Sequence, residues 1–153
     1  MTSTTTVTPL QVLDAAIERL SREDGYINTD YHDEGYVADS KAHCAIGGIE
    51  HGIWKLLRED VTGYREDVAY TGSSNPDHRS RELPAAVAAR PSIQVYGQVM
   101  KVLNEEAFRM FPNGVGKSPV PAYDVEDVSI HSTKADVLAV FQAARRRIHA
   151  EQA

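Results

Sequence analysis

The stretch Asp39 to Glu59, DSKAHCAIGGIEHGIWKLLRE, limits what this chain can fold into more than any other. Ala42, Ala45, Ile46, Ile49, Ile53, Leu56 and Leu57 recur at intervals of three and four, the rhythm of one apolar helix face. That rhythm predicts a helix, with Asp39 or Ser40 as its N-cap. At about 100° per residue, Cys44, Gly47, His51 and Arg58 fall within roughly 60° of one another on the opposite side, with Gly48 and Lys55 beside them. A glycine inside a helix costs on the order of 1 kcal/mol against alanine, so Gly47, Gly48 and Gly52 need a reason. Close approach of a second backbone supplies one, and Gly48 and Gly52 have the small-xxx-small spacing that permits it. The expectation is a helix buried on both sides, crossed by another element at its glycines.

The same stretch holds the only cysteine and the only tryptophan. Cys44 and His51 are seven residues apart, two turns or roughly 10 Å along the axis. A direct thiolate–imidazole pair cannot span that distance, so a bridging side chain or a reorientation of His43 would be needed. The partial positive charge of a helix N-terminus lowers a thiol pKa, which makes Cys44 a candidate nucleophile with His43 or His51 as base. The competing reading is a small buried hydrophobe, the usual state of a free cysteine.

Length and charge set the class. The chain has 153 residues, 42% of them hydrophobic, enough for one core without disulfides. Residues 9–150 read as a single helical domain, and the Thr-rich 1–8 as a disordered leader with no apolar h-region. Sixteen basic residues against 22 acidic ones give a formal charge of -6, which argues against nucleic acid as a partner. With a single cysteine, no intrachain disulfide can form, and a reducing cytoplasmic setting fits. No apolar run approaches the roughly 18 residues that a membrane span needs.

Three further helices frame the central one. Thr8 caps the first, with Pro9 at its first position and Gln11 completing a capping box. It is expected to run to Arg22 on Val12, Leu13, Ala16, Ile17 and Leu20. Val61 to Arg81, with TGSSNPDHRS at its heart, reads as a long exposed excursion, mobile or lid-like, in which His78, Arg79 and Arg81 make a solvated basic spot. Short helical turns are expected at 63–70 and 82–89. The third main helix spans about Ser92 to Phe111 on Ile93, Tyr96, Met100, Leu103, Ala107 and Met110. Gly116 to Asp127, with Pro119 and Pro121, reads as a rigid connector. The last helix is capped by Ser132 or Thr133, with Asp136 as partner of the Thr133 cap, and buries Val137, Leu138, Phe141, Ala144 and Ile148. Arg145, Arg146 and Arg147 sit in its last turns, where cations favour the helix dipole.

Two segments invite a ligand. Gly25 to Ala38 has no helical period, and its Asp30, His32, Asp33 and Glu34 are metal-ligating types. They lack the spacing of a calcium loop or a zinc helix, so no metal or other cofactor is assigned. GVGKSP resembles part of a phosphate-binding loop, but Phe111 stands where that motif needs its first glycine.

Three motifs together carry a resemblance. His43-Cys44-Ala45-Ile46-Gly47-Gly48 opens a helix, Val102-Leu103-Asn104-Glu105 lies within a later one, and His131-Ser132-Thr133-Lys134-Ala135-Asp136-Val137-Leu138 begins the last. This set is similar to a family of small uncharacterised helical proteins of actinobacteria and their phages, whose members show C-x-x-G-A, W-N-D and T-x-x-[DE]-V-L. Gly48 replaces the usual alanine, and Leu103-Asn104-Glu105 the usual W-N-D. The resemblance implies an all-helical domain in which the Cys44 helix, Asn104 and the Thr133 cap meet. Asn104 and Thr133 themselves read as groups that tie helix ends together.

The sequence therefore predicts a mainly α protein, a compact bundle of four main helices with a long loop excursion between helices 2 and 3. Its expected role is that of a non-enzymatic accessory protein, of a kind phages encode, which binds a host or phage protein through an exposed face or the 61–81 loop. A homodimer is left open. The alternative is a cysteine-dependent enzyme using Cys44 with His43 or His51.

Overall fold

The protein is described by a computed structural model covering residues 6–26 and 44–152. Asp30, His32, Asp33, Glu34 and His43 lie outside the described residues. The described residues form seven α-helical segments and no strand: α1 (Pro9–Ser21), α2 (Ala45–Leu57), α3 (Arg65–Val68), α4 (Ala85–Ala88), α5 (Pro91–Met110), α6 (Val125–His131) and α7 (Lys134–Glu151). The mainly helical architecture expected from the sequence is thus present, with more segments than the four main ones.

The Thr8 cap forms as its sequence dictates. Its hydroxyl accepts the Gln11 N–H at 3.2 Å while the Gln11 side chain accepts the Thr8 N–H at 2.9 Å. Two backbone N–H groups at the start of α1, which the helix itself cannot satisfy, are thereby paired. Helix α1 then lies against α2, α5 and α7. It crosses α2 at the glycines: a Cβ on Gly48 would meet Leu20 Cδ1 at 2.8 Å, and one on Gly52 would meet the Val12 carbonyl oxygen at 3.0 Å. One contiguous core results, in which Val12, Leu13, Leu20, Ile46, Ile49, Ile53, Tyr96, Leu103 and Phe141 are all essentially excluded from solvent.

Three sequence expectations change in the structure. Helix α2 begins at Ala45, with Cys44 as its N-cap, and the expected caps Asp39 and Ser40 lie outside the described residues. Cys44 has extended backbone angles (φ -71°, ψ 178°), and its sulfur accepts the Gly47 N–H at 3.4 Å, so the helical turn closes only after it. The Gly116–Asp127 connector also ends inside a helix that the apolar period did not reveal. Asp124 caps α6 by accepting the Asp127 N–H at 3.1 Å, and Glu126 and Asp127 place negative charge in its first turn. Seven residues give too few turns for a period to be read.

The third change concerns 61–81. The helical turn expected at 63–70 is present, as a 3-10 turn (Thr62–Tyr64) leading into α3, but the segment is not an exposed loop throughout: Val61, Val68 and Ala69 are buried. Gly116 belongs to a tight turn bridged between Val115 and Ser118, with φ +56° and no room for a Cβ against the His131 carbonyl. GVGKSP is thus packed against the α6–α7 corner, and the loop resemblance is resolved as a structural turn.

Asn104 joins the two halves of this arrangement from the middle of α5. It is fully buried, its Nδ2 donates to the carbonyls of Ala69 (3.0 Å) and Thr71 (2.9 Å), and its Oδ1 accepts the Val125 N–H at 3.0 Å. One amide side chain therefore fixes the end of α3 to the start of α6.

Candidate metal centre

Two buried polar centres flank that Asn104 tie. The first is built on α2, α3 and α5. Glu50, fully buried, takes a two-pronged contact from Arg65, with Arg65 Nε donating to Oε2 at 2.9 Å and Nη2 to Oε1. The Tyr96 hydroxyl donates to Oε2 at 2.7 Å. Burial pushes the Glu50 carboxyl up, against the pull of Arg65 and Tyr96. Burial also works against the Arg65 charge, but the Glu50 hydrogen bonds outweigh it and hold the guanidinium protonated. Both Glu50 oxygens are engaged, in the two-pronged geometry that suits a carboxylate and a planar guanidinium.

The second centre gathers residues that the sequence reading left apart. Asp124, 0% exposed, caps α6 through Oδ1, and its Oδ2 accepts the Ser73 hydroxyl at 2.8 Å and faces His78 Nδ1 at 2.7 Å. The His78 ring stacks on Tyr70 with centroids 4.3 Å apart. Donor atoms of His78, Asp124 and Glu126 all lie within 4.8 Å of one another. Glu126 Oε2 is buried and has no hydrogen-bond partner, an arrangement that ordinarily calls for an explanation by an ion, water or function.

Charge accumulates here. Burial pulls the His78 imidazole down, but the hydrogen bond to Asp124 and the charges of Asp124, Glu126 and Asp127 override it and raise its pKa. Burial raises Glu126, helped by Asp124 and opposed by Tyr70 and His78. It raises Asp127 as well, again with Asp124 as a repelling neighbour. Burial and the carboxylates push the Tyr70 phenol well above its ordinary range. All four shifts keep protons on the centre, burial leading for Glu126, Asp127 and Tyr70 with neighbouring carboxylates adding to it, and the carboxylates outweighing burial for His78.

The residues singled out in the sequence are distributed differently. Gly48 and Gly52 form the α1 crossing, and Gly47 is buried beside them and donates to Cys44. Cys44 is 7% exposed, and burial, its largest influence, raises the thiol pKa despite the Gly47 N–H and the Arg65 charge. A raised pKa keeps the thiol protonated, opposite to what a nucleophile needs. The start of α2 docks on α6, where the Ala45 N–H donates to Ser129 Oγ at 3.1 Å and Tyr26 donates to the Ser129 carbonyl at 2.9 Å. His51 is buried on α2, two turns beyond Cys44. Thr133 caps α7 at an exposed position, accepting the Asp136 N–H at 3.3 Å. Asn104 and Thr133 share no hydrogen bond, and only Asn104 touches the second centre.

His78 is the largest correction among the site residues. Read as part of a solvated basic spot with Arg79 and Arg81, it is held to Asp124 from 46 residues away. Asp124 carried one usable signal: followed three residues later by another acid, Asp127, it marks a helix start.

A mainly helical protein with one saturated and one unsaturated buried polar centre is the class these observations define. The chain belongs to the family of unknown function DUF6197, whose model matches residues 4–147. No curated protein and no solved structure matches it. Among the described residues, no helix is long and apolar enough to cross a membrane.

Proposed function

We propose that this chain is a cation-binding protein whose site is His78, Asp124 and Glu126. The observation that carries the proposal is the convergence of their donor atoms within 4.8 Å around a buried Glu126 oxygen with no partner. One imidazole nitrogen and two carboxylates suit a divalent transition metal. The ion would replace the proton shared by His78 Nδ1 and Asp124 Oδ2 and bring Glu126 Oε2 into use. It would also lock the 73–78 segment onto α6.

The test is thermal unfolding and calorimetric titration of chelator-treated protein with zinc(II) and manganese(II). A ligand present at about a hundred times its Kd stabilises by about 2.7 kcal/mol, a clear rise in Tm. His78→Ala and Glu126→Gln should abolish the rise, and an unchanged wild-type Tm and heat with both metals would reject the site.

The accessory-protein reading of the sequence remains a second proposal, placed on the same loop. Pro76, Asp77, Arg79 and Arg81 surround a cleft of about 360 Å³ with Tyr70 and Glu66, a charged surface that a bound ion would hold in shape. Affinity capture with wild type and with Arg79→Glu/Arg81→Glu tests it: a partner lost on charge reversal supports the reading, and an unchanged capture profile removes it.

A further inference from the structure

We propose that Ser73 is a positioning residue of this cation site: its hydroxyl sets the Asp124 carboxylate so that a single oxygen, Oδ2, binds the ion on the side of His78. The inference rests on the cation reading above and goes beyond it by adding a residue that does not touch the ion and by fixing how Asp124 binds.

Asp124 is held at its backbone and at both carboxylate oxygens. On one flank the Tyr123 N–H donates to Asp127 Oδ2 at 2.9 Å, and the Tyr123 carbonyl accepts the Ser74 N–H at 2.9 Å. On the other, the Val125 N–H donates to Asn104 Oδ1 at 3.0 Å. Within the side chain, Oδ1 accepts the Asp127 N–H at 3.1 Å and Oδ2 accepts the Ser73 hydroxyl at 2.8 Å. A carboxylate offers about four lone-pair sites, two on each oxygen. The cap and the hydroxyl occupy one on each, and Oδ2 still faces His78 Nδ1 at 2.7 Å. That direction leads to the place where the His78, Asp124 and Glu126 donor atoms converge.

The contacts of Ser73 itself suit it to this task. Its Oγ accepts the Asn75 N–H at 3.1 Å and lies 3.3 Å from the Tyr123 carbonyl oxygen. A hydroxyl has one proton to donate, and the nearer oxygen, that of Asp124, takes it. From Asn75 the chain turns: Asn75 Oδ1 accepts the Asp77 N–H at 2.9 Å, and the Asn75 carbonyl accepts the His78 N–H at 3.0 Å. One oxygen atom therefore orients the Asp124 ligand directly and anchors the turn that delivers His78. When an ion displaces the proton between His78 and Asp124, the Ser73 hydrogen bond remains and keeps Oδ2 aimed at the ion. Hydrogen bonds of this kind to metal ligands typically carry about 10- to 100-fold in affinity.

The experiment is calorimetric titration of chelator-treated full chain with zinc(II), paired with the Tm of the same metal-free samples. Ser73→Ala should weaken the zinc Kd by about 10- to 100-fold. Its metal-free Tm should fall by no more than about 4 °C, the loss of one hydrogen bond in a chain of this size. Ser73→Thr, which keeps the hydroxyl, should return the Kd to that of wild type. A Ser73→Ala protein with a lower Tm and an unchanged Kd would make Ser73 part of the fold alone, overturning this inference and leaving the cation site standing. A weakened Kd that Ser73→Thr fails to restore, at a wild-type Tm, overturns it as well. Wild type that binds no zinc(II) removes both the inference and the site.

Discussion

The two buried centres on either side of Asn104 contain similar chemistry and have opposite outcomes. At Glu50 the carboxylate meets a guanidinium and a phenol, and each of its oxygens is engaged. At Glu126 a carboxylate meets other carboxylates, a phenol and an imidazole, and one oxygen is left without a partner. A buried charge is tolerated when its partners are complete. The first centre is therefore part of the scaffold, and the second has the composition of a site awaiting a positive charge.

That contrast can be broken most forcefully at the first centre. Arg65→Met removes the guanidinium and leaves Glu50 buried and unpaired, and should cost about 3–5 kcal/mol in urea unfolding. A loss near zero would mean that Glu50 is protonated in the fold and that the two centres are more alike than their contacts suggest. Asp124→Ala ranks next. It deletes the α6 N-cap, worth about 1–2 kcal/mol, and frees Ser73 and His78, so the 73–78 segment should gain hydrogen exchange while the α1–α2 amides keep their protection.

Glu126→Gln is expected to go the other way. Its pKa is raised in the folded state, so ionisation works against folding, and that cost appears as pH rises through the usual carboxylate range towards the raised value. Neutralising the side chain should leave the metal-free protein as stable as wild type or slightly more so, while abolishing any metal-induced rise in Tm. The same isosteric change at Glu50, whose pKa is also raised, should destabilise because it leaves the Arg65 guanidinium without its counter-charge, so the pair of variants separates scaffold from site in a single denaturation series.

A smaller effect is expected from pH. The folded pKa of His78 is raised above its unfolded value. Its contribution to stability is thus fully present below the unfolded pKa and is lost as pH rises through the folded one. Metal-free protein should therefore lose some stability between mildly acidic and mildly basic pH. His78→Ala should flatten that slope, and saturating metal should reverse it, because the ion displaces the proton.

How much of this was legible in the sequence depends on the range of the interaction that encodes it. The Thr8 and Thr133 caps are written within four residues, and the helix periods within two turns, so α1, α5 and α7 could be read directly, whereas the equally local Asp124 cap was passed over inside the 116–127 connector. That another element crosses at Gly48 and Gly52 was legible too, because glycine in a helix interior is costly, but not that the element is α1. The second centre was not legible. His78 meets Asp124 across 46 residues, and no local pattern distinguishes that histidine from its exposed neighbours Arg79 and Arg81. Asn104 was readable as a group that ties helix ends together, but its partners Ala69, Thr71 and Val125 were not, because they arrive from other parts of the chain.

Cys44 offers the mildest perturbation and a check on the whole comparison, because it belongs to the scaffold side although it lies at the start of a helix near both centres. Its sulfur is a weak acceptor for the Gly47 N–H, its surface is almost wholly covered, and its thiol is held protonated by burial. Serine is a stronger cap but a more polar atom to bury, so Cys44→Ser should change stability by no more than about 1 kcal/mol in either direction. Native protein should react with iodoacetamide only as fast as it unfolds, since reaction requires an exposed thiolate. Rapid alkylation at neutral pH would show that the α2 N-terminus opens independently of the core. The start of α2 would then have to be moved from the closed side of the comparison to the reactive one.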